Sequence, residues 1–225
     1  MNTNDYPVIM ALEDYVPTLL ALAGFWLLGG ASAAIDRRVA VFGRVGAVLI
    51  GLGGVAKSTW KLILSAFGED VRWLEQSLFP LMATGALLVL WSLHTTLRGR
   101  RAPWWPYALV GVGVAGAAVA LASVQPAFVA ATTGVTAISV LGAVLAGRRR
   151  AWGAVVLYVL GIVAVTSLVP LRNHPQHDTA AFQWLEQGTN TLAQAVFLTA
   201  ALLTVRAARR SAVPAATADP ARVTA

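Results

Sequence analysis

The sequence predicts an all-α integral membrane protein of seven spans. Three observations carry that prediction: an apolar composition, seven apolar runs of membrane-crossing length, and basic residues gathered into alternate loops. Hydrophobic residues fill 57% of the 225 positions and charged ones only 12%, where a soluble domain carries about 25% charged. A water-soluble fold this apolar would expose large greasy patches, so lipid is its natural solvent.

The apolar runs fall at about 17–35, 40–66, 75–97, 104–124, 127–146, 152–170 and 184–206. Each is long enough to cross about 30 Å of hydrocarbon as a helix. Helix is required because unpaired backbone groups cannot be left in lipid, and the runs lack the alternation of barrel strands. The second run is interrupted by Lys57 and Lys61, and the sixth is slightly short. Together the runs define a membrane domain over residues 1–210. The stretch 211–225, rich in Ala, Pro, Thr and Val, reads as a disordered cytoplasmic tail. Residues 1–16 hold no Lys or Arg. A signal peptide's positive n-region is therefore missing, and the first run is expected to be retained.

The loops orient the chain. Arg37, Arg38 and Arg44 follow the first run, Arg98, Arg100 and Arg101 the third, Arg148, Arg149 and Arg150 the fifth, and Arg206, Arg209, Arg210 and Arg222 the seventh. That is 13 of 17 basic residues on one side, which by the positive-inside rule is the cytoplasm. The N-terminus is then outside, the C-terminus inside, and the cell (plasma) membrane the expected location. Trp60, Trp73 and Trp184 fall near the outer boundary and Trp104, Trp105 and Trp152 near the inner one, as an aromatic belt would. The net charge of +7 is accounted for by these clusters, so no nucleic-acid partner is expected. The chain has no cysteine, which excludes disulfides, thiolate metal sites and a cysteine nucleophile. Small residues spaced by four in the fourth run (Gly111 with Ala115, Gly113 with Ala117, Gly116 with Ala120), and Gly29, Gly30, Gly53 and Gly54 elsewhere, predict close helix packing.

Trp73-Leu74-Glu75-Gln76 recurs as Trp184-Leu185-Glu186-Gln187, an offset of 111, in a chain with only four Glu and eight Trp. The same offset aligns Arg37 and Arg38 with Arg148 and Arg149, Lys61 with Arg172, and Arg98 with Arg209. It predicts a 3+1+3 parallel repeat, halves at about 17–97 and 127–210, with 104–124 as the linker helix. The halves would be related by a pseudo-two-fold axis along the membrane normal. In topology this is similar to the SWEET and PQ-loop transporter families, which also place the N-terminus outside. The resemblance implies a substrate path between the halves. It carries over no site residue, because the first and fifth runs lack the Pro-Gln pair. Microbial rhodopsins also have seven helices, but they hold retinal on a Lys of the last one, and the run 184–206 has none. No cofactor is expected.

Charges within spans are rare and usually functional. Lys57 lies deepest, with Lys61 one turn nearer the outer end on the same face. Glu75 and Glu186 open the third and seventh runs, where a carboxylate also complements the helix dipole. At pseudo-symmetric positions they would set two carboxylates, with Gln76 and Gln187, across one axis. Asn190 adds an amide one turn beyond Glu186. Arg172 begins the longest outer loop. Its His174, His177 and Asp178 are broken by Pro175, and no metal site is expected there. His94 reads as a residue of the inner interface.

These features point first to a transporter or channel for a small solute or ion, with its substrate and the lipid bilayer as partners. Lys57, Lys61, Glu75, Gln76, Arg172, Glu186, Gln187 and Asn190 are its candidate binding residues. A membrane-embedded enzyme acting on a lipid or isoprenoid would need a groove open sideways to lipid. A non-catalytic subunit or scaffold would leave a small-residue face exposed. A homo-oligomer is compatible with any of the three.

Overall fold

The computed structural model describes residues 8–172, 174–176 and 179–212. Among them are eight α-helices and no strand: α1 (Val8–Glu13), α2 (Tyr15–Gly29), α3 (Arg37–Phe67), α4 (Arg72–Arg98), α5 (Trp105–Ala120), α6 (Gln125–Arg148), α7 (Trp152–Arg172) and α8 (Ala180–Ala212). Six segments are long and apolar enough to cross a membrane, the first being α1 and α2 together, and α5 is a shorter apolar helix. The predicted runs therefore reappear as helices, with shifted ends. The first helix starts at Val8, breaks at Asp14 and stops at Gly29, and turns replace helix over residues 30–35. The two lysines do not interrupt α3, because lysine is a good helix former and its side-chain charge leaves the backbone hydrogen bonds in place. α8 runs to Ala212, two residues into the predicted tail, and 213–225 lie outside the described residues.

Local chemistry sets the boundaries of α3. Asp36 caps its start, accepting hydrogen bonds from the backbone N–H of Arg38 and Val39 at 2.9 and 3.2 Å. Gly68 ends it with φ +72°, a left-handed residue that glycine adopts without strain. Gly99 ends α4 in the same way at φ +66°.

Contacts between distant helix ends fix the helix directions. Arg148 Nη1 donates to the Leu97 carbonyl at 2.6 Å, joining the C-terminal ends of α6 and α4. Phe128 meets Phe79 edge-on at 4.9 Å, joining their beginnings. Gln187 of α8 donates to Asp14 at the head of α2, and Ser32 and Ser92 meet at 2.8 Å just past the end of α2. So α2, α4, α6 and α8 point one way, and α3, α5 and α7 point the other. With α4 and α6 parallel, α5 has to travel the height of the bundle between them. Its 16 residues cover about 24 Å.

The bundle thus has an arginine-rich end, reached by Arg37, Arg98 and Arg148, and an acidic end, reached by Asp14, Glu75 and Glu186. α2 packs on α3 and α8, α4 on α3 and α6, and α7 on α6 and α8, while α5 packs mainly on α6 and α4, and loosely. The core sits toward the arginine-rich end, where Leu28, Val89, Leu93, Ile138, Leu145 and Ala201 are all buried.

Glycines set the tightest approaches, but not the ones the fourth run predicts. A Cβ on Gly43 would collide with the Gly29 carbonyl, and one on Gly85 with the Gly46 carbonyl. A Cβ on Gly53 would come within 2.9 Å of the Leu78 carbonyl. On α5, Gly113 and Gly116 have nothing within 4 Å of such a Cβ, and Gly111 meets only Leu87, at 3.4 Å. No residue of α5 is buried. Among the described residues none of the α5 glycines meets a neighbouring backbone, so the closest backbone approaches belong to α2, α3 and α4.

Candidate functional site

The acidic half of the bundle encloses a cavity of about 300 Å³ between α2, α3, α4, α6 and α8. Each helix contributes by register. On α3, Lys57, Ser58 and Lys61 share one face with Gly54 and Ile50, one turn apart. On α8, Glu186, Gln187, Asn190 and Gln194 form the matching polar stripe. Asp14 enters from the head of α2, and Phe79, Met82, Phe128 and Val135 supply apolar wall. From Asp14 to Phe25, both in the lining, is eleven residues of helix, so the cavity reaches about 16 Å into the bundle. Below it lies the apolar core.

A network of charged and polar groups stands at the acidic end of the cavity. Lys61 Nζ lies 2.5 Å from Asp14 Oδ2, with side-chain exposures of 25% and 13%, so the pair is shielded enough for its attraction to exceed that of a surface ion pair. Gln187, itself buried, donates its amide to the other oxygen of Asp14. Thr191 donates to Glu13 Oε1, and the second oxygen of Glu13 is buried with no hydrogen-bond partner among the described residues. Tyr15 and Thr59 share a hydrogen bond of 2.8 Å that ties α2 to α3. Four formal charges line the cavity, Lys57 and Lys61 against Asp14 and Glu186, and they sum to zero.

Of the residues predicted from sequence, Lys57, Lys61, Glu186, Gln187 and Asn190 all line this one cavity. Glu75 and Gln76 are exposed at the head of α4 and are not in its lining, so Glu75 does not face Glu186. The difference has a local cause: Gln187 is covered by Asp14, whereas α6 begins at Gln125 and places no acid over Gln76. Arg172 ends α7, and its side chain lies outside the described residues, as do Asn173, His177 and Asp178. His174 is exposed, stacked on Phe182 with ring centroids 4.2 Å apart. His94 shares a hydrogen bond of 2.7 Å with the Tyr107 hydroxyl and is not part of the cavity wall.

Glu13 and Asp14 were missed as site residues. They read as boundary acids outside the first run, yet apolar residues flank them on both sides (Val8–Leu12 and Val16–Leu22). A carboxylate pair interrupting an apolar stretch was the available signal.

The fold and this site define a class: a helical bundle of membrane-spanning character with a charged cavity in one half of its height. No protein-family model matches the chain, and neither does any curated protein or any solved structure.

Proposed function

We propose that the chain is a seven-span membrane transporter for small organic solutes bearing a carboxylate, and that the charged cavity is its substrate site. The observation that carries this reading is a cavity with charged walls that starts at the acidic end and stops halfway, on a packed apolar core. A channel would need a path through that core. A transporter closed at one end has this shape, with the site near mid-height. Lys57 is the contact for the substrate carboxylate and Asn190 supplies an amide beside it, while Phe25, Phe79, Met82 and Phe128 take the apolar part. The basic loops support a reading in which the arginine-rich end is cytoplasmic and the cavity mouth opens outside, in the cell membrane.

The 111-residue offset supports a path between two related halves. It maps α2 onto α6 and α4 onto α8, so the contact of α2 with α8 becomes that of α6 with α4, and both are present. It also maps Pro17 onto Phe128, Ala21 onto Thr132 and Phe79 onto Asn190, and all six residues line the cavity. The enzyme reading stands second. The lateral groove it needs lies between α4 and α5, but no carboxylate or imidazole is among the described residues that line it.

The test is native mass spectrometry of the protein extracted with its own solutes, followed by uptake of the identified compound into proteoliposomes. Wild type retains a small polar carboxylate, and Lys57→Ala loses it and transports at least about tenfold less, as expected when a charge-assisted contact is removed. A retained lipid that is lost in Lys57→Ala would move the cavity to the enzyme reading. Uptake unchanged in both Lys57→Ala and Gln187→Ala would end the transport reading of this site.

A further inference from the structure

We infer that the groove between α4 and α5, at the arginine-rich end, is a binding site for one anionic phospholipid, with its phosphate on Arg101 and an acyl chain lying between the helices. The inference is independent of the solute cavity, which lies at the other end of the bundle and shares no lining residue with this groove. α5 stands off from α4, and between them is a space of about 630 Å³ walled by Leu87, Leu88, Ala108, Gly111 and Val112 and by Phe42 of α3. In a bilayer such a space does not stay empty. Apolar walls facing a void lose their dispersion contacts, and the neighbouring acyl chains are the material at hand.

The rim of the groove is built differently from its wall. Arg101 and Trp104, both exposed, stand at its arginine-rich end beside Trp91 and Tyr107. Packing fixes that geometry: the Trp91 indole donates to the Ala102 carbonyl at 2.9 Å, and the Ala102 N–H donates to Thr95 Oγ1 at 3.2 Å. The loop carrying Arg101 is therefore pinned to α4. The guanidinium lies over the Trp91 ring, 5.8 Å from its centroid. Its one ion pair among the described residues is a loose one, Asp36 Oδ2 at 3.6 Å, and Asp36 is already engaged as the cap of α3. A guanidinium held at the mouth of an apolar slot, with Arg98 and Arg100 adjacent in sequence, suits a phosphate with fork geometry and net negative charge. Trp104 and Tyr107 sit where amphipathic rings meet headgroups. A zwitterionic lipid would fill the slot equally well, but its cationic group would meet the same arginines.

The test uses the full chain in nanodiscs of phosphatidylcholine with a minority of phosphatidylglycerol, then native mass spectrometry after exchange into detergent. Wild type retains one phosphatidylglycerol per chain, and so does Arg206→Gln, an exposed arginine of α8 outside the groove. Arg101→Gln cuts that retention about tenfold, the effect of losing one charged hydrogen-bonding partner. Ala108→Phe, which fills the slot from an exposed position, abolishes retention of either lipid. Arg101→Lys preserves a cation for Asp36 and loses the fork, so it reads out intermediate retention even where Arg101→Gln fails to fold. Equal retention of the two lipids by wild type, or retention unchanged in the Arg101 variants, overturns the inference.

Discussion

The two halves of the bundle's height use the same helices in opposite ways. Toward the arginine-rich end, α2, α3 and α4 approach until glycine is the residue that fits, at Gly29 against Gly43 and Gly46 against Gly85. Ser92 donates to the Gly29 carbonyl at 2.7 Å and accepts from Ser32. Toward the acidic end the same three helices carry Lys57, Lys61, Asp14 and Met82 at their facing positions, and a cavity opens. Side-chain volume and charge at the seam, rather than helix length or hydropathy, decide which end is sealed.

The comparison can be broken at the seam, and the largest effect is expected there. Gly46→Val or Gly85→Val should destabilise by about 3 kcal/mol or more, because overpacking against backbone has no side chain to yield. Gly113→Ala and Gly116→Ala on α5 should be neutral or stabilising by up to about 1 kcal/mol, since only helix propensity changes. Thermal unfolding in one detergent checks both, and equal losses at the two places would remove the distinction.

Asp14→Asn comes next. It leaves Lys61 in a half-buried site without its carboxylate, and a loss of about 1–2 kcal/mol is expected after allowing for partial exposure. If the ion pair holds the mouth of the cavity, Asp14→Asn should also change solute uptake, whereas Glu75→Gln at its exposed position should leave uptake intact. Ser92→Ala should cost about 1 kcal/mol, the worth of a buried neutral hydrogen bond.

The smallest effect belongs to the α3–α4 loop. A hydrogen bond from Arg72 at 2.8 Å and one from the Trp60 indole at 2.9 Å hold the Asp70 carboxyl below its ordinary pKa. A lowered carboxylate pKa contributes stability that is present above the unfolded value, about 4, and is lost as pH falls through the folded one. Asp70→Asn should therefore flatten the acid limb of a stability–pH curve slightly, with its small loss of stability seen at neutral pH and vanishing below the folded pKa.

Much of the fold was legible because the bilayer imposes a length and a composition on every helix, and all seven apolar runs reappear. Within the site, Lys57, Lys61, Glu186, Gln187 and Asn190 were legible because polar groups inside apolar runs are conspicuous. Asp14 and Glu13 were not, since their roles depend on Gln187 and Thr191, more than 170 residues away. The exposure of Glu75 was hidden too, because a repeat in sequence carries no information about what covers each copy. The small-residue pattern of α5 misled for a related reason: spacing by four says a helix can be approached closely, not that another helix is there.

That poorly packed helix still has a topological task. Four helices of the bundle point the same way, and α4 and α6 are parallel only because α5 carries the chain back to the acidic end between them. Its contribution is one of parity: delete it and everything from α6 onward would be threaded upside down, with Glu186 and Asn190 at the arginine-rich end. A segment kept for its direction of travel constrains its own sequence weakly. The outward face of α5, Leu109, Gly113 and Gly116 among it, should accept almost any apolar replacement that keeps it helical.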